Sequence, residues 1–248
     1  MNTELQNYNR LKNNLESLKL TAMEQNLDSY LDNTEKGGMS PLQALLRLTE
    51  AEMKLKSERA VQGCVKVANF PFLKTMEDFD FSFQPDLNKE EILGFKSLRF
   101  MEKAENIIFL GSPGVGKTHL SVSIGIESAK NRRSSYFINC AELIEKLKKA
   151  KAENNLEKQL KFYSRYQLLI IDEVGFLPID EEGSKFFFQL ISRRYEKKST
   201  IITTNVELSE WGSTFGNTVM ANAILDRLLH HSSVIRIVGN SYRLKDIL

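Results

Sequence analysis

Apolar side chains in the first part of the chain recur at three- and four-residue steps, at Leu5, Tyr8, Leu11, Leu15 and Leu18. That is a helical period and predicts an amphipathic helix. The polar run 32–38 closes in Gly37-Gly38 and breaks the pattern, after which Ser40-Pro41 supplies an N-cap and a first-turn proline. Leu42, Leu45, Leu46, Leu48 and Met53 then fall on one side of a second helical stretch. Residues 1–66 therefore read as a small all-helical N-terminal domain. A unit of this size builds a weak core alone and is expected to dock on the main domain or on a partner.

Across 67–85 the periodicity is lost. Phe70-Pro71-Phe72, Phe79, Phe81 and Phe83 are interleaved with acidic and turn residues, the texture of an extended linker whose rings pack on the next domain. From 86 to 248 short apolar runs alternate with helical stretches, which predicts an α/β domain with a parallel sheet. The candidate strands are 107–110, 135–138, 168–171, 200–203 and 234–238. Trp211 and Phe215 are expected to pack.

Composition narrows the class. Hydrophobic residues make up 42% of the 248 positions and charged residues 27%, as in an ordinary globular protein. A net charge of +2 does not by itself announce a nucleic-acid binder, so any basic surface must come from local clustering. Cys64 and Cys140 lie far apart and suggest neither a metal site nor a disulfide, which fits a reducing compartment. The N-terminus is polar and no long apolar run occurs, so no membrane association and a cytoplasmic location are expected.

The sharpest chemistry lies in Gly111-Ser112-Pro113-Gly114-Val115-Gly116-Lys117-Thr118, between a candidate strand and the helix opening at His119. This is the phosphate-loop pattern. Its backbone N–H groups can turn around phosphate oxygens at the positive end of a helix dipole, Lys117 can reach the β- and γ-phosphates, and Thr118 can hold Mg²⁺. A nucleoside triphosphate, hydrolysed to its diphosphate, is the expected ligand, and one ring of the 67–85 linker could lie against its base. The apolar strand 168–171 ends in Asp172-Glu173. Asp172 is expected to share Mg²⁺ and Glu173 to polarise the attacking water. A further strand ends in Asn205, placed to meet the γ-phosphate or that water. Transition-state charge needs a cation. Arg193, Arg194, Arg227 and Arg243 are the candidates, with Arg227 favoured and Arg243 a phosphate or interface contact.

In that order the phosphate loop with His119-Leu120, the Leu169–Gly175 strand, Thr204-Asn205, Asp226-Arg227-Leu228 and Ser241-Tyr242-Arg243 resemble an AAA+ ATPase. With the helical N-terminal region and the Phe70-Pro71 linker, the chain more narrowly resembles the IstB family of transposition helper proteins, related to the DnaC helicase loaders. The resemblance implies a roughly five-stranded parallel sheet of order 5-1-4-3-2 and ATP with Mg²⁺ between subunits of a homo-oligomer. It also implies that Arg227 serves the neighbour's nucleotide, and that duplex DNA and a transposase are the partners. The short stretch after the last strand leaves no room for a C-terminal helical lid, so closure is expected to rely on neighbouring subunits or on Arg243.

Lys146, Lys148, Lys149 and Lys151, followed by Lys158 and Lys161, form a basic run that could neutralise DNA phosphates without reading bases. Interspersed glutamates fit a merely solvated helical face equally well. His119 is expected to be structural, while His230-His231 shows no metal-site spacing. The competing readings are a helicase loader, a small-molecule kinase and a nucleotide-gated clamp that does not hydrolyse ATP.

Overall fold

The computed structural model describes residues 3–245. The chain separates into two compact units, 1–62 and 63–248.

Three helices build the first unit: α1 (Thr3–Ser17), α2 (Thr21–Glu35) and α3 (Pro41–Val67), the last continuing into the second unit. The continuous helix expected before the polar run is broken at Leu18–Leu20. Lys19 takes the left-handed conformation (φ +55°) and Leu20 N–H donates back to the Leu15 carbonyl, a helix-ending turn. Leu20 offers α2 no side-chain cap. The buried Glu52 of α3 does so instead, accepting from Ala22 N–H at 2.7 Å and Met23 N–H at 3.2 Å. The small core is Leu15, Leu27 and Leu48. Of the predicted stripes only Leu15 and Leu48 are buried, whereas Leu5, Leu11, Leu18, Leu42, Leu45, Leu46 and Met53 are exposed. Helical period located the helices but did not identify which of their faces is buried.

In the second unit the segment after α3 carries a 3₁₀ turn at Phe81–Phe83 and leads through α4 (Lys89–Gly94) and α5 (Arg99–Glu102) into β1 (Asn106–Gly111). Then follow α6 (Lys117–Lys130), β2 (Ser135–Asn139), α7 (Cys140–Ala152), α8 (Leu156–Ser164), β3 (Leu168–Val174) and α9 (Glu181–Arg194). The chain continues through β4 (Ser199–Thr204), α10 (Trp211–Thr214), α11 (Thr218–Leu229) and β5 (Ser232–Ile237). All strand pairs are parallel, in the order β2-β3-β4-β1-β5, which read from the other edge is 5-1-4-3-2. The fifth strand ends at Ile237, one residue short of the predicted end, and Val238 is exposed.

Strand side chains alternate between two cores. Ile108, Ile138, Leu169, Ile171 and Ile202 pack with Leu143 and Leu147 of α7, Phe187 and Leu190 of α9 and Ile224 of α11, joined by Trp211 and Phe215. Ile107, Phe109, Leu168, Ile170 and Ile201 face the other way, against Leu120 and Ile124 of α6 and against Phe79, Ile92 and Phe95. Phe70, Phe72 and Phe81 pack on this second core.

Among the described residues, one cation is fully buried. Arg194 donates from Nη1 to the carbonyls of Tyr163 (3.1 Å) and Tyr166 (2.8 Å), from Nε to Thr200 Oγ1 (3.0 Å) and from Nη2 to the Ser199 carbonyl. Burial pushes its guanidinium down to about 9, still cationic at neutral pH. It is committed to structure and unavailable to a phosphate. Arg193 is likewise taken, held by both oxygens of Glu157 at 2.7 Å.

Candidate active site

A cavity of about 370 Å³ opens at the C-terminal edge of the sheet. Residues 113–119 of the phosphate loop, Glu173, Asn205 and Arg243 line it, together with Phe72, Phe79, Thr203 and Tyr242. Its volume falls in the range of small-molecule sites. No side chain caps the start of α6, so the free N–H groups of its first turn face the loop. Gly116 is left-handed (φ +102°), and a Cβ there would lie 2.5 Å from Phe79 Cε2. Backbone and ring leave space for glycine alone.

Lys117 Nζ donates to the carbonyls of Gly111 and Ser112, both at 2.7 Å. Burial lowers its pKa, against the opposing pull of Asp172 and Glu173. The ammonium therefore sits in a desolvated place that an anion would improve. The Thr118 hydroxyl donates to Asp172, 3.0 Å from Oδ1 and 3.1 Å from Oδ2. Thr203 donates to Asp172 Oδ1 at 2.6 Å and accepts from Glu173 N–H at 2.8 Å. Burial raises the Asp172 carboxyl above its ordinary value, only partly countered by these two hydroxyls. A hydroxyl and a desolvated carboxylate side by side are hard oxygen donors that fit Mg²⁺.

Glu173 stands differently. The β3–β4 register slips between Ile171 and Val174, and Glu173 adopts φ +58°. Such a bulge re-aims a side chain, and here Glu173 is exposed while Asp172 stays buried. Asn139 Nδ2, at the end of β2, donates to Glu173 Oε2 at 2.8 Å. Neither Asn139 nor Thr203 had been assigned a role from sequence. The signal for Asn139 was indirect, since the expected strand order sets β2 beside β3, where Asn139 is in register with Asp172.

The far wall is a strap. Tyr242 N–H donates to the Gly114 carbonyl at 2.9 Å, and Gln84 Nε2 donates to the Asn240 carbonyl at 3.1 Å. Phe83 meets Tyr242 edge-on, and Lys245 holds the Asp80 carboxyl down to about 2. Arg243 thereby faces the cavity. His119 Nε2 lies 2.8 Å from the Thr75 carbonyl, edge-on to Phe79, in a supporting position.

Arg227 lies outside the cavity lining. It donates to the Ala223 carbonyl at 2.9 Å, and its guanidinium stacks 4.6 Å from the Phe188 ring centroid. Among the basic run, Lys146 pairs with Glu142 (2.6 Å), Lys148 with Asp180 (2.7 Å) and Lys149 with Glu153 (4.0 Å). Lys151, Lys158 and Lys161 are exposed on α7 and α8.

Inserting β4 between β1 and β3 brings Asn205 out beside the loop and sets the acidic tip of β3 one strand further on. This is the arrangement of the AAA+ ATPases, and the chain is an ATPase of that class. It matches the model of the IstB-like ATP binding protein family over residues 13–248 and belongs to that family. It is 52% identical over 239 residues to a protein named as the ATP-binding protein of insertion sequence IS232 in Bacillus thuringiensis subsp. berliner, covering 96% of each chain. Its identity to the counterpart named for insertion sequence IS21 in Pseudomonas aeruginosa is 41%, over 94% of this chain and 88% of the relative. The crystal structure of the DnaC helicase loader superposes with a TM-score of 0.52 at 28% identity, covering 60% of this chain and 86% of that one. Among the described residues no helix is long and apolar enough to cross a membrane.

Proposed function

We propose that this chain is a DNA-binding, oligomeric ATPase that assists transposition by binding or remodelling target DNA and recruiting a transposase. The observation that carries the catalytic part is the Thr118–Asp172 hydrogen bond, which ties the start of α6 to the tip of β3 with Glu173 alongside. In this reading the N–H groups of 111–118 and Lys117 hold the phosphates of ATP. Thr118 and Asp172 hold Mg²⁺, which supplies charge stabilisation at the phosphoryl oxygens when bound. Glu173 takes the proton of the attacking water, Asn205 orients it, and Arg243 meets the phosphate tail. Arg227, which lies away from its own subunit's cavity, would leave its place on Phe188 to serve the next subunit's nucleotide. The exposed lysines Lys151, Lys158 and Lys161 are the better DNA candidates, since Lys146, Lys148 and Lys149 are already paired. Relatives named for insertion sequences support the transposition setting.

A second reading, a helicase loader, draws on the likeness to DnaC. Two measurements test the proposal. Glu173→Gln is expected to retain ATP binding and lose about 100-fold or more in turnover, the scale of general-base removal. Turnover at the wild-type rate would remove Glu173 from the mechanism. Co-purification should recover the transposase of the same insertion sequence, and recovery of a replicative helicase instead would favour the loader.

A further inference from the structure

At the opposite end of the sheet, two consecutive histidines meet a carboxylate from another element. His230 follows α11, His231 leads into β5, and Glu196 stands in the turn between α9 and β4. Glu196 Oε1 lies 3.5 Å from His230 Nδ1 and 3.8 Å from His231 Nε2, and the three donor atoms all fall within 4.8 Å of one another. Bonds of about 2.0–2.1 Å to a tetrahedral ion place neighbouring donors about 3.4 Å apart. Two of the three edges are thus nearly right, and the third is no longer than 4.8 Å.

Three further observations favour a cation here. Among the described residues the two histidines are its only ion-pair partners, although Lys197 and Lys198 follow directly. The C-termini of α9 and α11 converge on the cluster, and both carry the negative end of a helix dipole. The cationic side chains in the last turn of α9, Arg193 and Arg194, are directed elsewhere, to Glu157 and to buried carbonyls. The His231 carbonyl accepts from Asn106 N–H, so the cluster lies at the start of β1 while the phosphate loop follows its end, about 17 Å away at 3.3 Å per residue.

We propose that Glu196, His230 and His231 form a surface site for a borderline divalent transition-metal ion such as Zn²⁺, which staples the end of α9 to the end of α11. Two imidazole nitrogens and one carboxylate oxygen select such ions over Mg²⁺ or Ca²⁺. The Tyr195 hydroxyl, 2.8 Å from His230 Nδ1, is displaced when the ion takes that nitrogen. Each of the three ligand side chains is about half exposed, so the ion has direct access and at least one coordination position stays open to water or another molecule.

The test is calorimetric titration of Zn²⁺ into the full chain after chelator treatment, without nucleotide, with Co²⁺ absorption as a readout of geometry. One ion per chain with a dissociation constant on the order of micromolar is expected. His231→Ala and Glu196→Gln should each weaken it by about tenfold or more, with His231→Asn as a milder variant and circular dichroism to verify folding. The thermal midpoint should rise with Zn²⁺ in the wild type and stay still in the doubly substituted His230→Ala, His231→Ala chain. Cys64→Ser should bind as the wild type does. Absence of binding, unchanged affinity in folded His231→Ala and Glu196→Gln, or loss in Cys64→Ser would overturn the site.

Discussion

Glu173 and Asp172 are neighbours in sequence held in opposite conditions, one exposed on a bulge and tethered by Asn139, the other buried between two threonines. While Glu173 Oε2 accepts from Asn139 Nδ2, that oxygen is partly engaged and less available to accept from water. Asn139→Ala is therefore expected to raise basal ATP turnover several-fold, measured as phosphate release, whereas a fall would make Asn139 a positioning residue. Asp172 stores a cost. Burial raises its pKa, so its contribution to folding is fully present below the ordinary value of 3.8 and lost as pH rises through the higher folded value. Asp172→Asn should raise the thermal midpoint of the nucleotide-free protein at pH 7, with the gain vanishing towards pH 3, while turnover falls about 100-fold or more. The phosphate loop and the Asp172-Glu173 pair were legible because their chemistry sits in consecutive residues. Asn139, Thr203 and Glu196 were not, because each acquires its meaning from a partner that only the folded sheet brings near.

Among the elements, α11 carries the sharpest division. Its inner face, Ala221, Ile224 and Leu228, is buried in the core, while Arg227 stacks on Phe188 of α9. If Arg227 acts on a neighbour, subunits carrying Arg227→Ala and subunits carrying Lys117→Ala should each be inactive alone and recover part of the activity when mixed. Half-sites on the two subunits would then combine at some interfaces. No recovery at any ratio, with mixed oligomers verified by mass, would argue against a shared site. The N-terminal helices show where periodicity misleads. Spacing placed α1 and α3, but the left-handed turn at Lys19 and the capping of α2 by Glu52 depend on tertiary packing that no local pattern records. The strands were read more closely, since Ile107–Phe109, Leu168–Ile171 and Ile201-Ile202 are apolar on both faces, as a sheet covered on both sides requires.

For the whole molecule, the sheet order makes the site possible, because β1 lies between β4 and β5 and its tip opens among parallel strand ends. The order was expected from the resemblance and not from periodicity, which identifies strands but not their neighbours. Stability of the second unit depends strongly on Arg194. Arg194→Met would leave the carbonyls of Tyr163, Tyr166 and Ser199 without their donor, at about 1 kcal/mol or more each. A loss of about 3 kcal/mol is expected, or about 6–12 °C in the thermal midpoint for a unit of this size, read by calorimetry.

The same guanidinium has a consequence for how the chain acquires its shape. Three of its acceptors precede it in sequence, at Tyr163, Ser164 and Tyr166, and two follow it, at Ser199 and Thr200. Until both sets are assembled the charge has no acceptable place in the interior and must stay in water. The stretch from α8 to β4 thus has little access to half-formed intermediates and consolidates in one cooperative step. Native-state hydrogen exchange should show β3, α9 and β4 opening together, as a single unit with a common free energy.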